Sequence, residues 1–384
     1  MTIRTTIDRF ISSFEKDFAT HNRIEVSKSA LVHNFDLFAA LSGKQVIPVL
    51  KGNAYGHGIE QVATALKDQS LPYIAVDGYF EALRVRKVSQ QPVLVMGAIK
   101  PENFAKLTYD QFAFVVQDKA AIRALGKTGK HVVVHLECNT GMNRYGAAKT
   151  ELSELTSLIL SYPNLRLEGV MSHLADSDGN NAETVENAVR IFDECVETVR
   201  MAGASPTMFH VAQTAGSLKA KSKYATAMRL GIGLYGINPF SPGHLEHSKL
   251  VGLRPALQLI STITKTIYLD KGDQVSYNYT FTTPKAMRIG VLPLGYYEGM
   301  PRTFSNAGIV KLGASYAVIV GRVCMNHTMI NLDGMTAKVG DEAIVFSSDG
   351  KNKNSIANAA KQHGLFTYNL LTTLSPDVRR ILVD

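Results

Sequence analysis

Val46-Ile47-Pro48-Val49-Leu50-Lys51-Gly52-Asn53-Ala54-Tyr55-Gly56-His57-Gly58 is the stretch on which the reading of this chain turns. An apolar run delivers one lysine to its carboxyl end, a glycine-punctuated turn follows, and an amphipathic helical pattern opens near Ile59. Lys51 therefore stands at a strand-to-helix mouth. An ammonium group that ends a buried strand loses hydration unless it is paired or chemically used. Two uses fit: a structural ion pair, or an amine that forms an imine with a carbonyl compound.

Outward from this stretch the pattern repeats. Short apolar runs near 46–50, 73–76, 93–96, 113–116, 132–136, 167–172, 207–211 and 230–235 each precede a helical or capped segment. Eight such units over about 200 residues make a (β/α)8 TIM-type barrel, and continuous runs such as Val132-Val133-Val134 suit a parallel sheet covered on both faces. A doubly wound open sheet is the rival arrangement. Upstream, Ile24-Glu25-Val26 predicts a strand, and Ser27 caps a helix carrying Leu31, Phe35 and Phe38. Ile7, Phe10, Ile11, Phe14 and Phe18 fall at helical spacing and predict an amphipathic extension over 1–22.

After about Pro255 the texture becomes β-rich: Ser261–Ile267, Ala286–Leu292 and Ala317–Val320 are separated by Gly, Asp and Pro turns. Helix returns only from Ser355 to about Gly364. The expected fold class is thus α/β plus β, with the barrel over 23–251 and a C-terminal β-rich domain over 252–384.

At 384 residues the chain exceeds one ordinary core, in keeping with two domains. No apolar run approaches the roughly 20 residues that span a bilayer, and the N-terminus lacks the apolar core of a secretion signal. Cytoplasm is the expected location, with no membrane partner. Cys138, Cys195 and Cys324 are odd in number and lack metal-ligand spacing, so neither disulfide nor metal is expected. The net charge of +8 comes from scattered lysines and arginines, a pattern that speaks against nucleic acid and suits small carboxylates.

In a barrel the reactive groups gather at the carboxyl ends of the strands. This sequence places candidates after one strand after another: Lys51, Glu137 to Arg144, His173, Thr214 and Arg229, the last expected to open the eighth strand. Each has an ordinary alternative. His173 fits a hydrogen-bonded core histidine, Arg229 a partner for an acid, Thr214 a helix cap, and Arg144 the surface of a glycine-bearing loop. Their convergence is the argument.

From about residue 23 onward the chain resembles the alanine racemase family. The likeness runs through the Lys51 segment, Thr140-Gly141-Met142-Asn143-Arg144, Met171-Ser172-His173, Met228-Arg229-Leu230-Gly231-Ile232, Val275-Ser276-Tyr277, Gly295-Tyr296 through Pro301-Arg302, and Gly321-Arg322-Val323-Cys324-Met325. It implies a barrel that binds pyridoxal 5′-phosphate, a β-domain, and a head-to-tail homodimer with shared sites. The expected activity is interconversion of L- and D-alanine, supplying D-alanine for peptidoglycan. By the same resemblance Lys51 carries the cofactor as an imine. Tyr55, Thr214 and the backbone of Gly231-Ile232 hold its phosphate, Arg229 faces its ring nitrogen, and His173 links Arg229 to Tyr277. Arg144 meets the cofactor and the substrate carboxylate, with Met325 also at the substrate and Tyr296, Arg302 and Asn326 in support. Lys51 and Tyr277 of the partner subunit are the two bases, one on each face of the substrate carbon.

Five positions depart from the family pattern. Gly52 stands for a usual alanine, and Glu137 for a lysine whose carbamate pairs with the arginine, so a Glu137–Arg144 ion pair is expected. Asn278 and Asn326 stand for glycine and aspartate, and Pro376 for a pocket tyrosine. A lost phenol enlarges the pocket, so a serine or broad-specificity racemase is the near alternative, since extra room changes discrimination by only about 1–3 kcal/mol. More distant readings are a decarboxylase on the same cofactor, a non-catalytic carrier of it, and an imine-forming aldolase. The β-rich third argues against the carrier, the paired bases against the decarboxylase, and the phosphate-binding matches against the aldolase.

Overall fold

The computed structural model describes residues 18–109 and 111–384. Most of the helical extension expected over 1–22 falls outside the described residues. The chain divides into two compact units, one of Val26–Leu257 with Ser348–Gly350 and Leu382–Asp384, the other of Gln258–Ser347 and Lys351–Ile381 with the described residues up to Glu25.

In the first unit, strands Ile74–Val76, Val93–Val95, Phe112–Val116, Val132–Glu137, Leu165–Met171 and Met208–His210 lie side by side in chain order. Gln45–Pro48 pairs in parallel with Ala227–Leu230, from Gln45↔Ala227 to Pro48↔Leu230. Two seams join these sheets: the Leu50 N–H donates to the Ala75 carbonyl at 2.8 Å, and the Thr226 N–H to the Phe209 carbonyl at 2.9 Å. The eight strands therefore close into the expected barrel. Helices such as Lys28–Ser42, Tyr79–Arg86 and Ala182–Met201 alternate with them. Ser27 does cap the first, accepting from the Ala30 N–H at 3.1 Å, and Leu31 and Phe38 beneath it are fully buried.

The eighth strand corrects the expected 230–235. It spans Ala227–Leu230, and Ile232–Tyr235 is a 3-10 turn. The cause is the glycine run: Gly231 adopts φ −94, ψ −107, outside the strand region, and Gly236 closes the turn at φ 80. Arg229 consequently sits inside the strand rather than at its opening.

Side chains alternate across a strand, so the barrel interior can be followed two residues at a time. Ile47, Val49, Ala75, Leu94, Ala113, Met208 and Ala227 form an apolar cluster, with Val133 packed against it. One step further along the same strands come His135 and Glu137 after Val133, His210 after Met208, and Arg229 after Ala227. An apolar floor thus passes into a polar layer toward the carboxyl ends.

The second unit is built from antiparallel pairs. Lys265–Leu269, Met287–Leu292 and Thr328–Asn331 form one sheet. A six-stranded sheet has the order Ser315–Val318, Ile309–Leu312, Glu342–Phe346, Leu257–Thr262, Asn22–Ser27, Arg379–Val383. The late helix begins as its sequence indicates, with the Ser355 side chain accepting from the Asn358 N–H ahead of Ile356–Gln362.

Candidate active site

Lys51 follows the first barrel strand, and the four residues after it turn the wrong way. Gly52, Asn53, Ala54 and Tyr55 have φ of 63, 55, 54 and 50, and Gly56 continues at 82. Left-handed backbone costs a non-glycine residue about 1–2 kcal/mol, so three such residues in a row need outside support. Glu81 supplies part of it, accepting the Gly52 N–H at 2.7 Å. The Asn53 side chain supplies more, accepting from the Ile59 N–H at 3.1 Å and from Arg84 at 2.8 Å, while Arg84 is itself paired with Glu60. The turn places Lys51 and Tyr55 on the wall of one cavity.

That cavity, of about 240 Å³, is lined by Lys51, Tyr55, Glu137, Arg144, His173, Arg229 and Gly231 among others. Seven residues singled out from sequence therefore meet in it. Thr214 stands directly behind, its hydroxyl accepting the N–H groups of Gly231 at 3.2 Å and Gly233 at 3.3 Å, on either side of Ile232. A Cβ at Gly231 would lie 2.9 Å from the Tyr55 hydroxyl oxygen, so the glycine lets that phenol reach the backbone. Burial pushes the Tyr55 phenol up to about 12, which keeps it a donor.

Arg229 is 3% exposed, and its terminal nitrogens are fully engaged. One donates to His210 Nδ1 at 2.7 Å and the His210 carbonyl at 2.6 Å, the other to the Ser172 carbonyl at 2.6 Å and His173 Nδ1 at 3.3 Å. Among the described residues its Nε–H meets no acceptor. Burial lowers the guanidinium to about 10, so it stays cationic at neutral pH. His173 is driven the other way from a useful cation, to about 3, by burial and by Arg229, Arg144 and Lys51. Since its Nδ1 accepts from Arg229, its proton sits on Nε2.

Glu137 is buried, and burial raises its pKa while Arg229 and Arg144 oppose the rise. Among the described residues it forms no direct ion pair with Arg144, so the two act on each other through space. Arg144 is exposed on its loop. That loop is tied by Asn139, which accepts the Gly141 and Asn143 N–H groups at 3.0 and 3.2 Å. Sequence reasoning did not single out Asp77 and Gln213, which also line the cavity, or His210 and His135 beneath it.

The remaining candidates belong to the second unit. Tyr277, Tyr296 and Met325 are 66%, 45% and 54% exposed, and Arg302 is exposed as well. Two departures find their reason here. Asn278 has φ 58, a conformation that asparagine tolerates better than any residue but glycine. Asn326 donates to Glu298 at 2.7 Å, where an aspartate would set two carboxylates together, and Glu298 in turn accepts the Gly295 N–H.

Sequence profiles agree with this geometry across nearly the whole chain: that of the alanine racemase N-terminal domain matches residues 26–239, and that of its C-terminal domain matches 256–382. The chain belongs to the alanine racemase family. Alanine racemase 2 of Caldanaerobacter subterraneus subsp. tengcongensis is 30% identical, the match covering 94% of each chain. The alanine racemase of Staphylococcus carnosus is 31% identical over 93% of this chain and 94% of its own. Among solved structures, the alanine racemase of Bacillus anthracis with bound L-Ala-P superposes with a TM-score of 0.86 at 28% identity, over 96% of both chains. That of Clostridium difficile 630 gives 0.88 at 26% identity, over 96% of this chain and 97% of its own. The racemase fold, barrel and β-rich unit alike, is thus present over nearly the whole chain. Among the described residues no helix is long and apolar enough to cross a membrane.

Proposed function

We propose that this protein racemises alanine with pyridoxal 5′-phosphate held at Lys51, as a homodimer in which Tyr277 of the partner subunit supplies the second base. One observation carries the reading: Lys51, the unused Nε–H of a buried Arg229, and the glycine that admits Tyr55 all meet in a single cavity. A phosphorylated pyridine aldehyde suits these donors. Tyr55, Thr214 and the N–H groups about Gly231-Ile232 would hold the phosphate, Lys51 the carbonyl carbon, and Arg229 Nε–H the ring nitrogen. When bound, the group supplies an electron sink that acidifies the α-hydrogen of an amino acid joined to it.

The chain's own residues do the rest. Lys51 Nζ removes or returns the α-proton on one face and the Tyr277 phenol does so on the other. Arg229 stays protonated and so does not pass its proton to the ring nitrogen, which keeps the sink weak and limits side reactions. His173, neutral with its hydrogen on Nε2, is a donor suited to a tyrosinate oxygen. Arg144 binds the substrate carboxylate, steadied by the charge of Glu137. Serine is the second substrate, favoured by Pro376 where the family pattern has a pocket phenol. The D-alanine formed would serve peptidoglycan synthesis.

The test is incubation with single enantiomers of alanine, serine and lysine in deuterated water. Inversion with α-hydrogen exchange is the expected result for alanine, with serine slower. Carbon dioxide release, or a yellow protein that exchanges nothing, would replace this reading with a decarboxylase or a carrier. Borohydride reduction should fix the cofactor to the peptide containing Lys51.

A further inference from the structure

Beneath Arg229 the barrel holds a buried polar chain that the reaction does not touch. His210 accepts from Arg229 at Nδ1, and its Nε2 lies 2.8 Å from Nδ1 of His135. Both imidazoles are fully buried. Among the described residues His135 Nε2 makes no hydrogen bond of ordinary geometry, and the nearest acceptor it faces is Glu168 Oε2, at ion-pair distance, 3.5 Å. Glu168 also accepts from the Tyr73 hydroxyl and pairs with Arg166 at 2.8 Å.

The chain has only one consistent direction. Arginine can only donate, so His210 Nδ1 must be bare and its proton must lie on Nε2. That proton goes to His135 Nδ1, so the His135 proton lies on Nε2 and points to Glu168, which as a carboxylate can only accept. Reversal would set an N–H of His210 against an N–H of Arg229. A cation at one end and an anion at the other therefore agree on every proton between them, and a run of bonds aligned in this way is mutually polarising.

The fold is shaped to hold this arrangement. The pairing of Val132–Glu137 with Leu165–Met171 shifts register between Val134 and His135, and a Cβ at Gly169 would lie 2.3 Å from His135 Nδ1. Tyr73 meets the His135 ring edge-on, with centroids 5.3 Å apart. All the hydrogen bonds Arg229 makes end on neutral acceptors. A carboxylate in contact would pull the guanidinium out of line, whereas one reached through two neutral rings strengthens its hold on His210 without displacing it.

We propose that Glu168 is a positioning residue: through His135 and His210 it fixes the orientation of Arg229, and with it the donor that Arg229 offers to the cofactor. The inference rests on the proposed function for what Arg229 serves, while the chain can be tested apart from it. Imidazole nitrogen NMR on the cofactor-free protein reads each tautomer directly. The groups facing the two rings are Arg229, Glu168, Tyr73 and, beyond Glu168, Arg166. With these in place, His210 and His135 are expected neutral at pH 7, each bare at Nδ1 and protonated at Nε2. A ring protonated on Nδ1, or on both nitrogens, overturns the proposal and needs no variant to be seen.

Glu168→Gln removes the anion and keeps the shape. Its His210 Nδ1 resonance should move, and kcat should fall about tenfold with KM changed less than about twofold, the loss expected when one charge-assisted bond is weakened. An unchanged spectrum with unchanged kcat overturns the proposal. A protein with the expected tautomers and no racemase activity refutes only the function, and an active one with the wrong tautomers refutes only the chain.

Discussion

The barrel unit and the β-rich unit carry their chemistry in opposite ways. In the barrel, Arg229, His210 and His135 are buried and bonded to one another before any ligand arrives. In the β-rich unit, Tyr277, Tyr279, Tyr296, Tyr297 and Met325 are all at least 45% exposed. Large apolar groups clustered on a surface mark a face that works against something else, whereas buried polar groups in register mark a site already organised. The contrast teaches that the barrel half fixes charge and geometry, while the other half leaves its aromatic groups exposed, as the proposed homodimer requires of groups offered to a second copy of the chain. Breaking each half should therefore fail differently.

The largest effect falls on the barrel. On the proposed function Lys51→Ala would remove both the attachment point and one base, and should reduce racemisation by about 10³-fold or more, with borohydride no longer fixing the cofactor. Next comes the surface half. Tyr277→Phe should cost about 10²–10⁴-fold in turnover with no change in melting temperature, since the side chain is 66% exposed. The two inactive variants then sharpen the comparison when mixed and allowed to exchange subunits. A site shared between chains predicts recovery of about one quarter of native activity, because half of the dimers are mixed and each mixed dimer has one intact site. A mixture that stays dead would place both bases on one chain.

The third expectation separates the units by pH. His173, His210 and His135 are held below the ordinary 6.5 by burial and neighbouring cations, so they stay neutral when folded. Unfolded, they take up protons below about 6.5, and the unfolded state then binds more protons. Their contribution is therefore full above 6.5 and is lost as pH falls, toward about 3 for His173. Each contributes a slope of up to about 1.4 kcal/mol per pH unit, about 4 for the three together. Glu168, held near 2 by His135 and Tyr73, adds to the loss once pH drops below its ordinary 4.5. Among the described histidines of the β-rich unit only His363 is lowered, by partial burial, and its Asp333 and Glu342, held low by the Arg288 backbone N–H with Lys285 and by Arg23, take up protons only below about 4.5. Hydrogen exchange at pH 5 should accordingly show the barrel strands opening before Met287–Leu292, and simultaneous opening would contradict this division.

Much of this was legible in the sequence, and the exceptions share a cause. Lys51 could be placed because an apolar run, a lysine and a glycine turn are neighbours in the chain. The β-rich third showed itself through local composition. The eighth strand was misplaced by three residues at its start because an apolar run containing Gly231 and Gly233 looks like a strand until its backbone angles are known. His135 and His210 were passed over because their partners are remote in sequence, although Val133, His135 and Glu137 at a spacing of two already indicated one inward face. The Asn326–Glu298 contact joins residues 28 apart, which pattern reading cannot supply.

The smallest expected effect falls on the turn that carries Lys51. Gly52 has φ 63 and ψ 44, the first residue of a left-handed run in which Asn53, Ala54 and Tyr55 are already strained. Alanine there would add about 1–2 kcal/mol of backbone strain. It would also stiffen the unfolded chain, returning about 0.4–1 kcal/mol. The net for Gly52→Ala is a loss of about 0.5–1 kcal/mol, seen as a lower urea midpoint with an unchanged slope. Turnover should hold, because Glu81 and Asn53 still clamp the turn and Lys51 keeps its place. The family pattern's alanine at this position means the strain is tolerable, so this chain's glycine acts on stability and not on catalysis. A variant as stable as the native protein but slower would reverse that assignment, making the freedom of Gly52 part of how Lys51 moves.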